Sequence, residues 1–546
     1  MKHFSSTALN YIAFNCMALG VGLLVAQAAL AADTGQLPCK TTKECNEAAA
    51  SIGANAPRGD AQAHTSPTDA AEDQFFWINK INKASTVMLV EEGIFPKDVG
   101  QLIAKGVDYT IRQAGLPGGK RPGDVLQIER IMTDKVGQEA SVIHAGRSRQ
   151  DMYATFRAAE LRNQTLDYAE ALLGLRARLL ATAADNLDVL VPAYTNGVQA
   201  VPVTYGHYLL AYVESFERDQ QRVTEAYRRL NLSPMGTGVM SNSIWPLNRG
   251  RLAELLGFEG IVENSIDSSQ VIAFDNQLEA TAIASSSAIR IGAMMQDLHT
   301  QYHQVRPWLL LQEGSTYTSS SMPQKRNPGL ITQAREAASD VVGLSEAVVI
   351  RAHNVDSGMV DYKSESTDLG VFPRAVGMLN ATRHVFDALV VNKPRALEEL
   401  ESDWTSTMNL AELLLQAHHV PFRVGHGFAS QLVSYARPLD LTPKTIPYDA
   451  VTDLFAKALA SSGQPAQPFP MSEAEFREVM SPAWIVAHTK GTGGPQPAEA
   501  ERMLKAAQQR LDADKSWLAE QRSKLAKADA ALDKVFATLL PAEKVP

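Results

Sequence analysis

The sequence predicts an all-α protein whose centre is a bundle of long helices. Three observations support this prediction. Apolar residues recur at helical spacing over long stretches, glycine and proline are scarce inside those stretches, and no sustained alternation of strands and helices is present. With 546 residues, of which 45% are hydrophobic, the chain can bury a large core and divide into two or three domains.

The longest helical patterns lie in residues 144–392, which we predict to form the central bundle. Over residues 158–183 apolar residues recur on both flanks and only Gly174 interrupts, a pattern typical of a helix buried inside a bundle. Three further stretches look similar: Tyr205–Leu230, 265–306 and Gly329–Ala352. We expect residues 75–143 to form a small N-terminal helical domain and residues 393–546 a C-terminal helical domain.

A charged, alanine-rich stretch over residues 498–539 carries leucines at seven-residue spacing, at positions Leu504, Leu511, Leu518, Leu525 and Leu532. One interpretation is a helix hairpin or a coiled-coil arm. The other is a single amphipathic helix packed on its own domain. We favour the second, because the other apolar position of the heptad is irregular.

The first residues predict export. Residues 1–32 combine Lys2, an uncharged run and a small-residue ending, which is typical of a cleaved signal peptide. A membrane anchor is the alternative, since the run is nearly long enough to span a bilayer. The run is rich in alanine and glycine, which favours cleavage and a periplasmic or secreted protein with no membrane attachment.

Residues 33–74 are polar, and we expect a flexible segment without a core. Cys39 and Cys45 lie in this segment. In an oxidising compartment they could close a small disulfide loop; the alternative is two free thiols.

The net charge of −9 argues against nucleic acid as a partner, and no basic patch opposes this. An anionic substrate would therefore need a local cationic site. Arg149 and Lys325 can supply one.

The most informative segment is Thr318-Ser-Ser-Ser-Met-Pro-Gln-Lys-Arg-Asn-Pro328. It places four hydroxyls, a lysine and an asparagine on a short stretch with two prolines. Such a stretch offers a serine as a base, a cation for a carboxylate and an amide to orient that carboxylate. A plain serine-rich surface loop is the alternative on composition alone.

The order of these residues resembles the signature loop of the fumarase/aspartase superfamily, Gly-Ser-Ser-x-Met-Pro-x-Lys-x-Asn-Pro. Every specified position matches except the first, where Thr318 replaces glycine. The resemblance implies that Ser319 is the base that removes a proton from carbon, and that Ser320, Lys325 and Asn327 contact the substrate.

Two further blocks resemble the argininosuccinate lyase branch of that superfamily. They are His144-Ala-Gly-Arg-Ser-Arg-Gln-Asp151 and Tyr194-Thr-Asn-Gly-Val-Gln-Ala-Val-Pro-Val203. The resemblance covers roughly residues 80–440 and implies a three-domain helical fold, and a homotetramer whose active sites are shared between subunits. It places substrate-binding residues in these blocks: Ser148, Arg149, Gln150, Thr195 and Asn196.

The chain departs from this branch at the general acid. Asn196 stands where the family has a histidine, and Thr332 stands where it has the partner glutamate. An asparagine can donate a hydrogen bond but does not transfer a proton near neutral pH. The segment 361–368, which touches the arginine part of the substrate in that branch, also differs.

The chemistry requires no cofactor, and we predict no metal site. His299 and His303 are four residues apart, but no third ligand at a suitable spacing accompanies them.

These observations predict a carbon–nitrogen lyase that cleaves an N-substituted aspartate to fumarate and an amine. Argininosuccinate is the nearest substrate by resemblance, and export favours an aminopolycarboxylate. Two alternatives remain open: a non-catalytic protein on the same scaffold, which the lost histidine and glutamate favour, and a hydratase acting on fumarate.

Overall fold

Helices account for most of the chain in the computed structural model, which describes residues 72–354, 356–357 and 369–541. The predicted signal peptide, Cys39, Cys45 and the segment 361–368 lie outside the described residues. The helices are α1 Gln74–Glu91, α2 Lys97–Ala114, α3 Val125–Val136, α4 Arg149–Ala184, α5 Tyr205–Leu230, α6 Arg249–Leu255, α7 Ile272–Tyr302, α8 Gly329–Ala352, α9 Val371–Ala388, α10 Lys393–Glu401, α11 Thr407–His418, α12 Phe422–Ala436, α13 Tyr448–Ser461, α14 Glu473–Val479, α15 Pro482–His488 and α16 Pro497–Ala537.

Short strands lie in the segments between these helices and form two-stranded sheets. The strands are β1 Leu190–Thr195, β2 Val198–Thr204, β3 Leu232–Ser233, β4 Gly260–Ile261, β5 Leu309–Leu311, β6 Tyr317–Thr318, β7 Arg326–Asn327 and β8 Leu389–Val391. Strands β1 and β2, β5 and β8, and β6 and β7 pair antiparallel, whereas β3 and β4 pair in parallel.

Five long helices, α4, α5, α7, α8 and α9, form the central bundle and share one hydrophobic cluster. The predicted helices Tyr205–Leu230 and Gly329–Ala352 are confirmed at both ends. The helix predicted over 158–183 begins earlier, at Arg149, because Ser148 caps it there. The one predicted over 265–306 is shorter: a π-helical turn, Asp267–Val271, precedes α7.

A second hydrophobic cluster joins α1, α2 and α3 to the start of α4 and to α6. A third cluster, from Trp404 to Met480, belongs to the C-terminal helices α11 to α14. The three-domain helical fold is in keeping with this arrangement. The domain boundaries at 143 and 392 stay predictions.

The leucine repeat near the C-terminus lies on α16, one helix of 41 residues. Leu511 and Leu518 join the bundle cluster, and Leu532 joins the N-terminal cluster. The helix hairpin and the coiled-coil arm are therefore wrong interpretations. The helix is amphipathic, as we favoured, but it packs on the bundle rather than on the C-terminal cluster.

No helix in the described part of the chain is both long enough and apolar enough to cross a membrane.

Candidate active site

The signature segment forms a small hairpin between α7 and α8. Strand β6 pairs with β7, with Tyr317 opposite Asn327 and Thr318 opposite Arg326. The hydroxyl of Tyr302, the last residue of α7, donates to the carbonyl oxygen of Arg326 at 3.0 Å. Residues 319–325, the signature loop, therefore connect two strands that are anchored to the end of the bundle.

Ser319 is the first residue of the signature loop and is half-buried. Its Oγ accepts hydrogen bonds from the backbone N–H groups of Ser321, at 3.4 Å, and Met322, at 3.2 Å. Donors directed at a hydroxyl oxygen stabilise its anion more than its neutral form. The loop thus supplies part of the stabilisation that a serine needs to act as a base.

The other predicted groups of the loop face solvent. Ser320 and Lys325 are exposed, and Lys325 forms no ion pair with a described residue. Asn327 is half-buried, and its Nδ2 donates to the carbonyl oxygen of Tyr317 at 3.0 Å. That amide nitrogen carries a second hydrogen, which a substrate carboxylate can accept. Helix α8 begins at Gly329, so the positive end of its dipole lies beside these groups.

Thr195 and Asn196 lie at the tip of the β1–β2 hairpin. Thr195 pairs with Val198, and the two residues between them, Asn196 and Gly197, have φ angles of 51° and 76°. Positive φ at both central positions defines a type I′ turn, for which Asn-Gly is the preferred pair. In the sequence analysis Asn196 was considered only as the residue that replaces the family histidine, and this hairpin was not predicted. The dipeptide Asn196-Gly197 is the strongest local signal for such a hairpin.

The third block begins helix α4. Ser148 is the N-cap, and its Oγ accepts from the N–H of Gln150 at 3.3 Å, which leaves its hydroxyl hydrogen for donation. Gln150 is half-buried. Arg149 is exposed, with its Nη1 3.9 Å from an oxygen of Asp124, too far for a hydrogen bond. Its guanidinium can therefore turn to an anionic substrate.

A buried carboxylate holds this helix start in place. Asp151 accepts the backbone N–H of Ser148 at 2.8 Å, and its other oxygen accepts those of Gly236 at 3.0 Å and Gly238 at 3.1 Å. Burial raises the pKa of Asp151 to about 6, against the effect of these donors and of nearby Arg147. The side chain therefore joins the Ser148 block to a loop distant in sequence.

Two more residues of the same block support it from inside. Arg147 donates from Nη1 to Oδ1 of Asn82 at 2.8 Å, and burial lowers the pKa of its guanidinium to about 10. His144 pairs with Glu129 of α3. The sequence reasoning assigned no role to Asp151, Arg147 or His144, because only the fold reveals their partners.

The blocks lie at two ends of the bundle. Helix α4 has 36 residues, a length of about 54 Å, and Ser148 stands at its start. The chain between the end of α4, at Ala184, and Thr195 can span at most about 36 Å when fully extended. Ser148 and Thr195 are thus at least roughly 18 Å apart.

The signature loop lies at the same end as Thr195. Tyr208, in the first turn of α5, donates to Asp297 near the end of α7 at 2.8 Å, and Trp308 packs on Tyr205 at 5.7 Å. One chain therefore brings the signature loop and the β1–β2 hairpin to one end of the bundle and places Ser148 and Arg149 at the other.

Thr332 lies in the first turn of α8 and is exposed, where the family carries a glutamate. Nδ1 of His299 lies 2.6 Å from Nη1 of Arg335 and accepts a hydrogen bond there. Within the described ranges no group of three or more histidine, cysteine, aspartate or glutamate side chains is placed to hold a metal ion.

Comparisons with known proteins agree with this fold. A family model described as lyase matches residues 120–343. An argininosuccinate lyase of Natronomonas pharaonis is 31% identical over 84% of this chain and 91% of its own length. One from Methanocaldococcus jannaschii is 28% identical over 81% and 90%.

Among solved structures, EDDS lyase in complex with formate matches with a TM-score of 0.78 and 26% identity, over 86% of this chain and 92% of that chain. The fold and its site define a lyase of the fumarase/aspartase superfamily. Within that superfamily, the chain belongs to the argininosuccinate lyase family. The predicted fold class, family and enzyme class are confirmed.

Proposed function

We propose that this carbon–nitrogen lyase eliminates an amine from an N-substituted aspartate and releases fumarate. The observation that carries the proposal is Ser319, whose Oγ receives two backbone N–H donors in a loop that continues into Lys325 and Asn327. A base, a cation and an amide donor thus stand together at the positive end of α8.

The elimination proceeds in two stages on these groups. Ser319 removes the proton from the carbon beside a carboxylate, and the negative charge spreads onto that carboxylate. Lys325 and Asn327 stabilise the resulting dianion, since charge-assisted donors act most strongly where charge develops. The electron pair then forms the carbon–carbon double bond of fumarate as the carbon–nitrogen bond breaks.

The leaving amine needs a proton, and the residues at the two family positions do not supply it. Asn196 donates a hydrogen bond only, and Thr332 lacks a carboxylate. An amine that leaves with the help of its own charge or of water requires no residue there. This departure favours substrates other than argininosuccinate, and the likeness to EDDS lyase supports an aminopolycarboxylate.

We further propose a homotetramer with shared sites. The support is the placement of Ser148 and Arg149 at the opposite end of the bundle from Ser319. In addition, α7 and α8 present apolar side chains to solvent: Ile289 is 59% exposed, Val349 50% and Ile350 71%. Neighbouring copies that cover this face would also bring the blocks together. Light scattering of the purified protein tests the tetramer.

Export of the mature protein is also a proposal. The composition of residues 1–32 supports export. An exported enzyme would meet a substrate other than argininosuccinate, which belongs to a cytoplasmic pathway. Mass measurement of the protein from a periplasmic fraction tests it: loss of the first 32 residues or so is the expected result, and a full-length mass contradicts cleavage.

The decisive assay runs the reaction in reverse. Purified protein is incubated with fumarate and a panel of amines that includes arginine and ethylenediamine, and the fumarate absorbance is followed. Loss of fumarate with one amine supports the lyase and names its substrate. Loss without an amine supports a hydratase. A folded tetramer that consumes no fumarate supports the non-catalytic alternative.

A further inference from the structure

Two side chains near the end of α7 reach across to the segment that follows the signature loop. Tyr302 donates to the carbonyl oxygen of Arg326 in β7. Three residues earlier on α7, Nδ1 of His299 lies 2.6 Å from Nη1 of Arg335 on α8. Strand β7 continues into α8 with only Pro328 between them. Both contacts therefore hold the base of the signature loop against α7.

The contact with Arg335 fixes the protonation state of the histidine. A guanidinium has N–H donors and no acceptor, so Nδ1 of His299 carries a lone pair and the hydrogen of the neutral ring is on Nε2. A doubly protonated ring would place two N–H groups and two positive charges against each other at this distance. The hydrogen bond therefore exists only while His299 is neutral.

The groups around the ring favour its neutral form. His299 is half-buried, and burial lowers its pKa from 6.5, as do the charges of Arg335 and His303. The ring of His303 is stacked on it at 6.0 Å. Asp297, on the same helix, is turned to α5, where it accepts from Tyr208. Among the described residues no carboxylate offsets these effects on His299.

The partner of Arg335 follows from a departure of this chain from its family. Thr332 lies three residues before Arg335, at the position where the family carries a glutamate. Residues three apart are neighbours on a helix surface, so a glutamate there could pair with the guanidinium. With threonine at 332, Arg335 makes no ion pair with a carboxylate in the described part of the chain, and His299 is its acceptor.

We infer that His299 is a positioning residue for the proposed elimination. Its neutral ring holds Arg335, and with it the start of α8, in the place from which Lys325 and Asn327 meet the substrate carboxylate. Protonation breaks the hydrogen bond, so the base of the signature loop loses one of its two contacts with α7. Small misplacements of reacting groups lower the rate steeply. The inference rests on the proposed function, because it concerns the same loop.

Two variants test the hydrogen bond. His299→Asn places Oδ1 where Nδ1 lies, so it keeps an acceptor for Arg335 but does not titrate. His299→Leu removes the acceptor. With fumarate and the amine that the reverse assay identifies, kcat/KM at about pH 8 should stay within about twofold of the native value in His299→Asn and fall about fivefold in His299→Leu. Equal kcat/KM in the two variants would overturn the inference.

The pH profile separates positioning from a structural role. The ratio of the native kcat/KM to that of His299→Asn should be constant above about pH 7 and fall as the pH drops below 6.5, because only the native ring takes up a proton there. Asp151, which titrates in the same range, is common to both proteins and cancels. His303→Asn, the matched control, should show the same fall relative to His299→Asn. A native ratio that stays constant down to about pH 5 would contradict the inference.

Hydrogen–deuterium exchange follows the loop without catalysis. At about pH 7.5, the amides of residues 317–328 should exchange several-fold faster in His299→Leu than in the native protein or in His299→Asn. If none of these proteins consumes fumarate with any amine, the proposed function fails, while the exchange rates still test the hydrogen bond. Equal exchange in all three proteins would show that His299 does not hold the loop.

Discussion

The start of α4 and the signature loop both present groups to an anion, but they are held in different ways. Ser148 and Arg149 stand at a helix start held by the buried carboxylate of Asp151 and by Arg147, which donates to Asn82. The signature loop is exposed and fixed by its own hairpin and by Tyr302. The helix start is therefore tied to the core of its own chain, whereas Ser320 and Lys325 of the loop stay exposed in that chain.

The largest effect is expected at the base. Ser319→Ala removes the hydroxyl that takes the proton, so turnover should fall on the order of a thousandfold, while the melting temperature stays the same. Ser321→Ala, in the same exposed loop, is the matched control and should retain most activity. Steady-state kinetics of both variants checks this, and full turnover by Ser319→Ala would contradict the assignment.

The next largest effect tests the buried side of the comparison. Asp151→Ala leaves three backbone donors without an acceptor, so the free energy of unfolding should fall by about 3 kcal/mol. Asp124→Ala removes an exposed cap that accepts the N–H of Gln127 and should cost about 1 kcal/mol. Urea unfolding measures both. Equal losses of unfolding free energy in the two variants would mean that the burial of Asp151 does not increase its contribution to stability.

The same carboxyl predicts a pH dependence. The pKa of Asp151 is raised from 3.8 to about 6 by burial, so the folded state binds its proton more tightly. Its contribution to stability is therefore greatest below pH 4 and is lost as the pH rises to about 6, by at most about 3 kcal/mol. The stability difference between the native protein and Asp151→Asn should change over that window. A difference that is constant with pH contradicts the raised pKa.

The smallest effect concerns the anchor of the loop. Tyr302→Phe removes the hydrogen bond to Arg326, so kcat/KM should fall several-fold with little change in melting temperature. Tyr317→Phe is the control, because that ring is exposed on the hairpin. If both variants keep full activity, the hairpin alone positions Ser319.

The two regions also differ in how far the sequence predicts them. Helix α8 and the signature loop follow from helical spacing and a contiguous motif, so both were predicted with their residues. The role of Asp151 was not, because its bonds to Gly236 and Gly238 join segments that only the fold brings together. The β1–β2 hairpin was missed because Asn196 was compared with the family histidine before its turn chemistry was considered.

The most direct test of the shared site mixes two inactive variants. Ser319→Ala lacks the loop function, and Arg149→Ala lacks the α4 function; each alone should be inactive. When the two chains are co-expressed and assemble at random, about a quarter of the sites should receive both intact groups from different subunits, with activity to match. Recovery of that activity is the result our account predicts. A mixed tetramer with no activity above that of the separate variants would show that both groups act within one chain, and would contradict the account.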